Sequence, residues 1–108
     1  MTSGLLERAR TAAHSGGRII REVPFVRPLA EGVEEGKIDL LFEEAGGWVL
    51  VDYKTDQLPE SPDQLDEYFR KRYAGQINEY VEALGSLSIK VQSTYLLLAR
   101  TGHAVKMM

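Results

Sequence analysis

Two short stretches near the middle of the chain carry residues able to do chemistry: Gly36-Lys37-Ile38-Asp39 and Val51-Asp52-Tyr53-Lys54. In an extended chain, residues two apart share a face, so Asp52 and Lys54 point the same way. Between the stretches, Glu44-Ala45-Gly46-Gly47 reads as a four-residue hairpin connection. That loop sets Glu43 against Trp48, Leu41 against Leu50 and Asp39 against Asp52. Carboxylates directly opposed on neighbouring strands stand about 5 Å apart at Cβ and repel. A shared proton, a basic neighbour or a divalent cation must offset that repulsion. Oxygen ligands converging from two strands suit a hard ion such as Mg²⁺ or Mn²⁺. Lys54 beside such an ion is placed to orient an attacking water or to balance charge growing on a phosphate oxygen. The pattern fits metal-assisted phosphodiester hydrolysis. The alternative is a solvated strand face on which Asp52 and Lys54 form a surface ion pair worth under about 1 kcal/mol.

The elements that must position these residues follow from apolar spacing. Residues 5–13 read as a short helix ending before Gly16-Gly17. Residues 18–26 are rich in β-branched and aromatic side chains and stop at Pro28, which marks a first strand. Gly36–Glu43 and Trp48–Tyr53 are the second and third strands. Ile38, Leu40, Phe42, Val49, Val51 and Tyr53 are expected on one core-facing layer, opposite Asp39 and Asp52. Ser61-Pro62-Asp63-Gln64 is a helix start, with Ser as N-cap and Pro at the first helical position. Leu65, Phe69, Tyr73, Ile77, Tyr80 and Leu84 then recur as one buried stripe, and Gly85 supplies the stop. Gly75 is expected to permit close helix–sheet approach. Residues 91–99 form an apolar interior strand, and residues 104–107 a short edge strand. The order predicts an α/β fold, an α-β-β-β-α-β core with helices flanking a small mixed sheet.

Composition narrows the function classes. The 108 residues are 44% hydrophobic and 27% charged, the balance of one small domain. With no cysteine, thiolate zinc sites, disulfide frameworks and iron–sulfur clusters are excluded. No apolar run approaches the roughly 20 residues that span a bilayer. The start of the chain lacks a signal-peptide pattern, so a soluble cytoplasmic protein without membrane contact is expected. The net charge of −3 hides a pattern. Residues 1–27 carry five arginines against two glutamates, residues 28–67 twelve acids against two lysines, and residues 68–108 six bases against two acids. An acidic middle between basic ends is either an uneven solvated surface or a metal site with basic walls for phosphate.

The ordered set from Glu22 to Tyr80 resembles the PD-(D/E)xK nuclease core of the RecB type, the C-terminal nuclease domain of the bacterial helicase–nucleases RecB and AddA. The resemblance rests on Arg21-Glu22-Val23-Pro24-Phe25, Gly36-Lys37-Ile38-Asp39, Val51-Asp52-Tyr53-Lys54-Thr55 and Tyr73-x-x-Gln76-x-x-x-Tyr80, and runs from about residue 18 to residue 100. It implies a restriction-endonuclease-like fold and a DNA nuclease, exonuclease by preference, of DNA repair and recombination. It implies Asp39, Asp52 and the Tyr53 carbonyl as ligands of Mg²⁺ or Mn²⁺, with Lys54 the catalytic lysine. Gln76, a further catalytic candidate, and Tyr80 would line the DNA path and Tyr73 would flank it. Glu22 is a further candidate in the same set. Members of this group usually carry an upstream histidine as another ligand. Here the sole upstream histidine is His14, at a helix end that departs from the motif. It is either that ligand or an exposed or capping residue. Without it, the isolated chain is expected to cleave weakly or not at all.

Several residues keep two readings. Arg70-Lys71-Arg72 is either a solvated helix face or a contact to DNA phosphates. Tyr73 and Tyr80 serve either core or DNA path. Gln76 fits a core poorly, because a buried amide needs partners. Trp48 is expected to pack, and His103 to lie in an exposed loop. No G-x-x-x-x-G-K-[ST] motif occurs, so a helicase motor must lie in another domain or chain. Residues 1–108 are expected to form one domain, a fragment or minimal version of such a nuclease. The alternative function is a weakly active or inactive nucleic-acid-binding or scaffold module with the same fold.

Overall fold

The computed structural model describes residues 4–44, 46–55 and 65–108, with the backbone alone for residues 25, 27–29 and 34. Its elements are α1 (Gly4–His14), β1 (Ile19–Leu29), β2 (Gly32–Glu44), β3 (Gly47–Lys54), α2 (Leu65–Ser86), β4 (Val91–Leu98) and β5 (Ala104–Lys106). The five strands form one sheet in chain order. Only β3 and β4 run parallel, because α2 carries the chain back between them. The expected α-β-β-β-α-β order and the short edge strand are both present. No helix among the described residues is long and apolar enough to cross a membrane.

Both faces of the sheet are covered. On one, Leu5, Ala9 and Ala12 of α1 pack on Leu40, Phe42, Val49, Val51 and Leu97. On the other, Phe69, Ile77, Tyr80 and Leu84 of α2 pack on Leu41, Leu50, Leu96 and Leu98. Burial on both sides explains why β2, β3 and β4 are nearly continuous apolar runs. Both helices end in the same way. In α1, Gly17 donates to the Ala12 carbonyl and Gly16, at φ 92°, to Ala13. In α2, Ile89 donates to Leu84 and Ser88, at φ 65°, to Gly85. These are Schellman caps. The stop expected at Gly85 is therefore made three residues later by Ser88, and Gly85 itself is helical.

Across the sheet, Arg8 ties α1 to its floor. Its guanidinium makes two bonds to Glu44, at 2.8 and 3.2 Å, and one of 3.0 Å to the Tyr95 hydroxyl. It also lies over the Phe42 and Tyr95 rings. The fork geometry makes this stronger than an ordinary surface pair, although partial exposure screens it. Arg8→Ala is expected to lower stability by about 1–2 kcal/mol, read by urea melts. A change of only a few tenths would show that the contacts exist without contributing.

The β1–β2 hairpin is longer than the sequence suggests. Pairing runs from Ile19↔Phe42 to Leu29↔Gly32, so β2 begins at Gly32, not Gly36. Pro28 reads as a strand end because it lacks an N–H, yet β1 is an edge strand. Pro24 and Pro28 share the same parity along it, so one outward orientation accommodates both. The β2–β3 connection also differs. Glu44 pairs with Gly47, leaving two residues rather than four in the loop, while Glu43↔Trp48 and Leu41↔Leu50 stand as expected. Gly75 lies exposed with nothing near its Cβ position, so it is not a point of close approach. The helix start expected at Ser61–Gln64 lies outside the described residues.

Candidate active site

The ladder that brings Asp39 toward Asp52 stops one step short of them. Regular partners run from Glu44↔Gly47 to Leu40↔Val51, and on the other side from Arg21↔Leu40 directly to Val23↔Ile38. The row Glu22, Asp39, Asp52 is therefore skipped by regular pairing on both sides of β2. Glu22 takes up the irregularity with a left-handed φ of 53°. A non-glycine residue there costs of order 1–3 kcal/mol. The break also turns Ile38, which packs with Leu41 and Leu50 on the α2 side rather than with Leu40 and Val51. Ile38 thus leaves the layer expected of it. Tyr53, expected in that layer too, is 38% exposed and lines an open cleft beside α1 instead of closing against the core.

Freed from the ladder, the Asp39 carboxylate accepts the Tyr53 backbone N–H at 2.8 Å. It also comes within hydrogen-bonding reach of Asp52. The two carboxyls thus converge from adjacent strands. Asp52 is almost fully buried, at 4% exposure. Burial pushes its carboxyl up to about 6, the hydrogen bond with Asp39 adds to this, and Lys54 opposes it. Lys54 Nζ stands 2.9 Å from Asp52 Oδ2. That is the distance of a buried ion pair. A buried carboxylate beside a second carboxylate and an ammonium is a compact cluster of like and opposite charge, held out of water on the α2 side of the sheet.

Lys54 is held on three sides. Besides Asp52, its ammonium donates to Gln76 Oε1 at 2.8 Å and lies 4.1 Å from the centre of the Tyr73 ring. Gln76 and Tyr73 sit one turn apart on α2, so the helix leans on the site through them. This answers what partner the Gln76 amide has on an otherwise apolar edge. Tyr73 in turn stacks near Phe69 and accepts from Arg72 Nε at 3.1 Å. Tyr80 is buried, and its hydroxyl stands 3.7 Å from where a Cβ on Gly36 would be, so it reaches β2 just before Asp39.

The remaining candidates are placed as follows. Glu22 is exposed and bound to Lys37 at 2.7 Å, and the Lys37 ammonium holds its carboxyl below the usual range. Sequence reasoning misses Lys37, although its position two residues before Asp39 is an available signal. Arg70 pairs with Asp66 and donates to the Lys106 carbonyl, and Lys71 pairs with Glu67. These are exposed pairs, weak enough to exchange for other anions. His14 lines a small cleft with Arg10, Arg21 and Tyr53. The structure does not bring it to the carboxylate pair. Among the described residues, no three His, Cys, Asp or Glu side chains converge. His103 is exposed and bonded to Asp66 at 2.6 Å, and Trp48 packs at the core with Arg18 over its ring.

A mixed sheet between two helices, with Asp-x-Lys on a central strand facing an Asp on its neighbour, is a restricted combination. Residues 1–107 match the model of the PD-(D/E)XK nuclease superfamily. The chain belongs to that superfamily. Its fold is the restriction-endonuclease-like one. The chain is similar to an ATP-dependent helicase/nuclease subunit of Heliobacterium modesticaldum, 39% identical over 102 residues, 80% of this chain and 7% of the relative. It is similar to the helicase/nuclease relative of the same description in Clostridium perfringens, 33% identical over 111 residues, 87% of this chain and 8% of the relative. With that of Pediococcus pentosaceus it shares 45% over 73 residues, 66% of this chain and 6% of the relative. The chain thus spans less than a tenth of the length of these relatives.

Proposed function

We propose that this PD-(D/E)XK chain is the nuclease unit of a helicase–nuclease and hydrolyses DNA phosphodiester bonds with Mg²⁺ or Mn²⁺ in DNA repair and recombination. The observation that carries the reading is the convergence of the buried Asp52 carboxyl with Asp39 from the neighbouring strand, with Lys54 on the same face. The donor set fits a hard cation, since the ligating atoms on offer are carboxylate oxygens from two strands. Asp39, Asp52 and the Tyr53 carbonyl would hold it. Bound there, it would supply a Lewis acid that eases deprotonation of water and balances phosphate charge.

The chain's own residues do the rest. Lys54 presents a positive charge on the same face as Asp52, where it stabilises charge developing on a phosphate oxygen. Gln76 holds that ammonium in place. Arg70, Lys71 and Arg72 on α2 offer exchangeable cations to flanking phosphates, and Tyr73 flanks the DNA path; Tyr80, expected on that path, is instead buried in the core beneath α2. The motor that moves DNA past the site lies in other domains of the same or a partner chain, as the names of the helicase/nuclease relatives suggest. Action from DNA ends is the expected mode.

Calorimetric titration with Mg²⁺ and Mn²⁺ tests the reading. The parent is expected to bind at or below millimolar concentration, and Asp52→Ala to abolish binding. The second reading, an inactive nucleic-acid-binding or scaffold module, is favoured by one observation: no third acid or histidine joins the pair among the described residues. Absence of binding at millimolar metal would select it.

A further inference from the structure

The three contacts of Lys54 differ in kind. Asp52 is a charged partner, whereas Gln76 Oε1 and the face of Tyr73 are neutral ones. An Asp52 carboxylate that binds a cation can no longer neutralise Lys54 to the same degree. An ammonium that is 13% exposed then needs other anchors, or it swings away toward water. An amide oxygen and an aromatic face hold a cation without cancelling its charge.

We infer that Tyr73 is a positioning residue: its ring, with Gln76, forms a neutral cradle that keeps the Lys54 ammonium aimed at the reacting phosphate while Asp52 is engaged elsewhere. This rests on the metal-dependent nuclease reading of the same site. The supporting geometry is local and complete. Tyr73 and Gln76 are three residues apart on α2, hence on one face. Phe69 stacks near the Tyr73 ring, with planes 13° apart and centres at 6.1 Å, which fixes its tilt. Arg72 bonds the Tyr73 hydroxyl, which fixes the ring from its far end. The part that meets Lys54 is the π-face, not the hydroxyl. The role therefore belongs to any ring at this position and not to tyrosine as an acid or base.

That distinction gives the test. In proton–carbon NMR spectra of the parent chain, the Lys54 ε-methylene signals are expected upfield of the other lysines by the ring current, and to stay so on addition of Mg²⁺. Tyr73→Leu keeps apolar contact with Phe69 but is expected to return those signals to the ordinary lysine position. It should lower kcat on linear DNA about tenfold with KM little changed. Tyr73→Phe is expected to restore the upfield position and recover most of the lost rate. Ordinary Lys54 shifts in the parent, or a Tyr73→Phe chain as slow as Tyr73→Leu, would overturn the cradle. An upfield Lys54 in a parent that binds neither Mg²⁺ nor Mn²⁺ at millimolar concentration by calorimetry would instead overturn the nuclease reading beneath it, and with it the purpose of the cradle.

Discussion

Asp52→Asn is expected to make the protein more stable at pH 8 and to stop cleavage. The two effects share one cause. The Asp52 carboxyl is raised from its ordinary 3.8 to about 6 by burial and by Asp39, so the folded chain resists its ionisation. Between pH 4 and pH 6 the folded state holds a proton that the unfolded state has released. Stability from this group is therefore full below about pH 4 and is lost as pH rises through about 6. The loss by pH 8 is at most about 3 kcal/mol, reduced by whatever Lys54 returns. An asparagine keeps the shape, carries no charge and can donate to the Asp39 carboxylate. It should thus recover about 1–2 kcal/mol at pH 8 and nothing at pH 4. The same substitution removes a cation ligand, and cleavage should fall by roughly a hundredfold or more. Metal supplies the control. At a hundredfold excess over its Kd, Mg²⁺ should stabilise the parent by about 2.7 kcal/mol at pH 8 and leave Asp52→Asn unmoved. Melts across pH, with and without Mg²⁺, read all of this. An asparagine chain less stable than the parent at pH 8 would show that Asp52 is a structural ion-pair partner and not a poised ligand.

The framework of this site is legible in the chain because the signals that set it are local. Apolar runs mark β2, β3 and β4, and the short loop after Glu44 fixes Leu41 opposite Leu50, from which Asp39 opposite Asp52 follows by counting. The α2 stripe is equally plain, with Phe69, Ile77, Tyr80 and Leu84 all buried. What counting cannot show is that regular pairing lapses at the very row where the acids meet. Alternation places Ile38 and Tyr53 on a common layer, and the distortion at Glu22 and Asp39 removes Ile38 from it. A left-handed glutamate has no signature in sequence, because its backbone is held by neighbours and not by its own preference. Arg8 is likewise invisible. Glu44 and Tyr95 lie 36 and 87 residues away, and no periodicity links them. The acidic segment Glu34-Glu35 obscures the start of β2, since a two-stranded ribbon at a sheet edge has no need of an apolar face. The Lys54 cradle falls between these cases. Tyr73 and Gln76 both stand out in the sequence, but their common target is evident only once α2 is laid over β3.

Sequence alone makes Lys54 a strand lysine of little weight for stability, and its burial changes that expectation. Only 13% of its side chain is exposed, beside an Asp52 side chain at 5%. Removing one member of a buried pair usually costs about 3–5 kcal/mol, because the other is left uncompensated. Here a limit exists. Asp52 already resists ionisation and can take up a proton, aided by Asp39. Lys54→Met, which keeps the stem and its contact with Tyr73, is therefore expected to lose about 1–3 kcal/mol at pH 8. Most of that loss should vanish at pH 5, where Asp52 is protonated in the folded variant and no charge needs a partner. Mg²⁺ should restore part of it at pH 8, by supplying the positive charge that the ammonium gave. Cleavage has no such escape. The charge facing the phosphate is gone whatever the pH, and kcat should drop at least about a hundredfold while calorimetry still detects metal. The pairing of these readouts separates the two roles of the residue. If Lys54 were a counter-charge alone, saturating Mg²⁺ would restore stability and cleavage together. Restored stability with cleavage still absent assigns the lysine to the reaction, and a methionine chain that cleaves like the parent removes it from there.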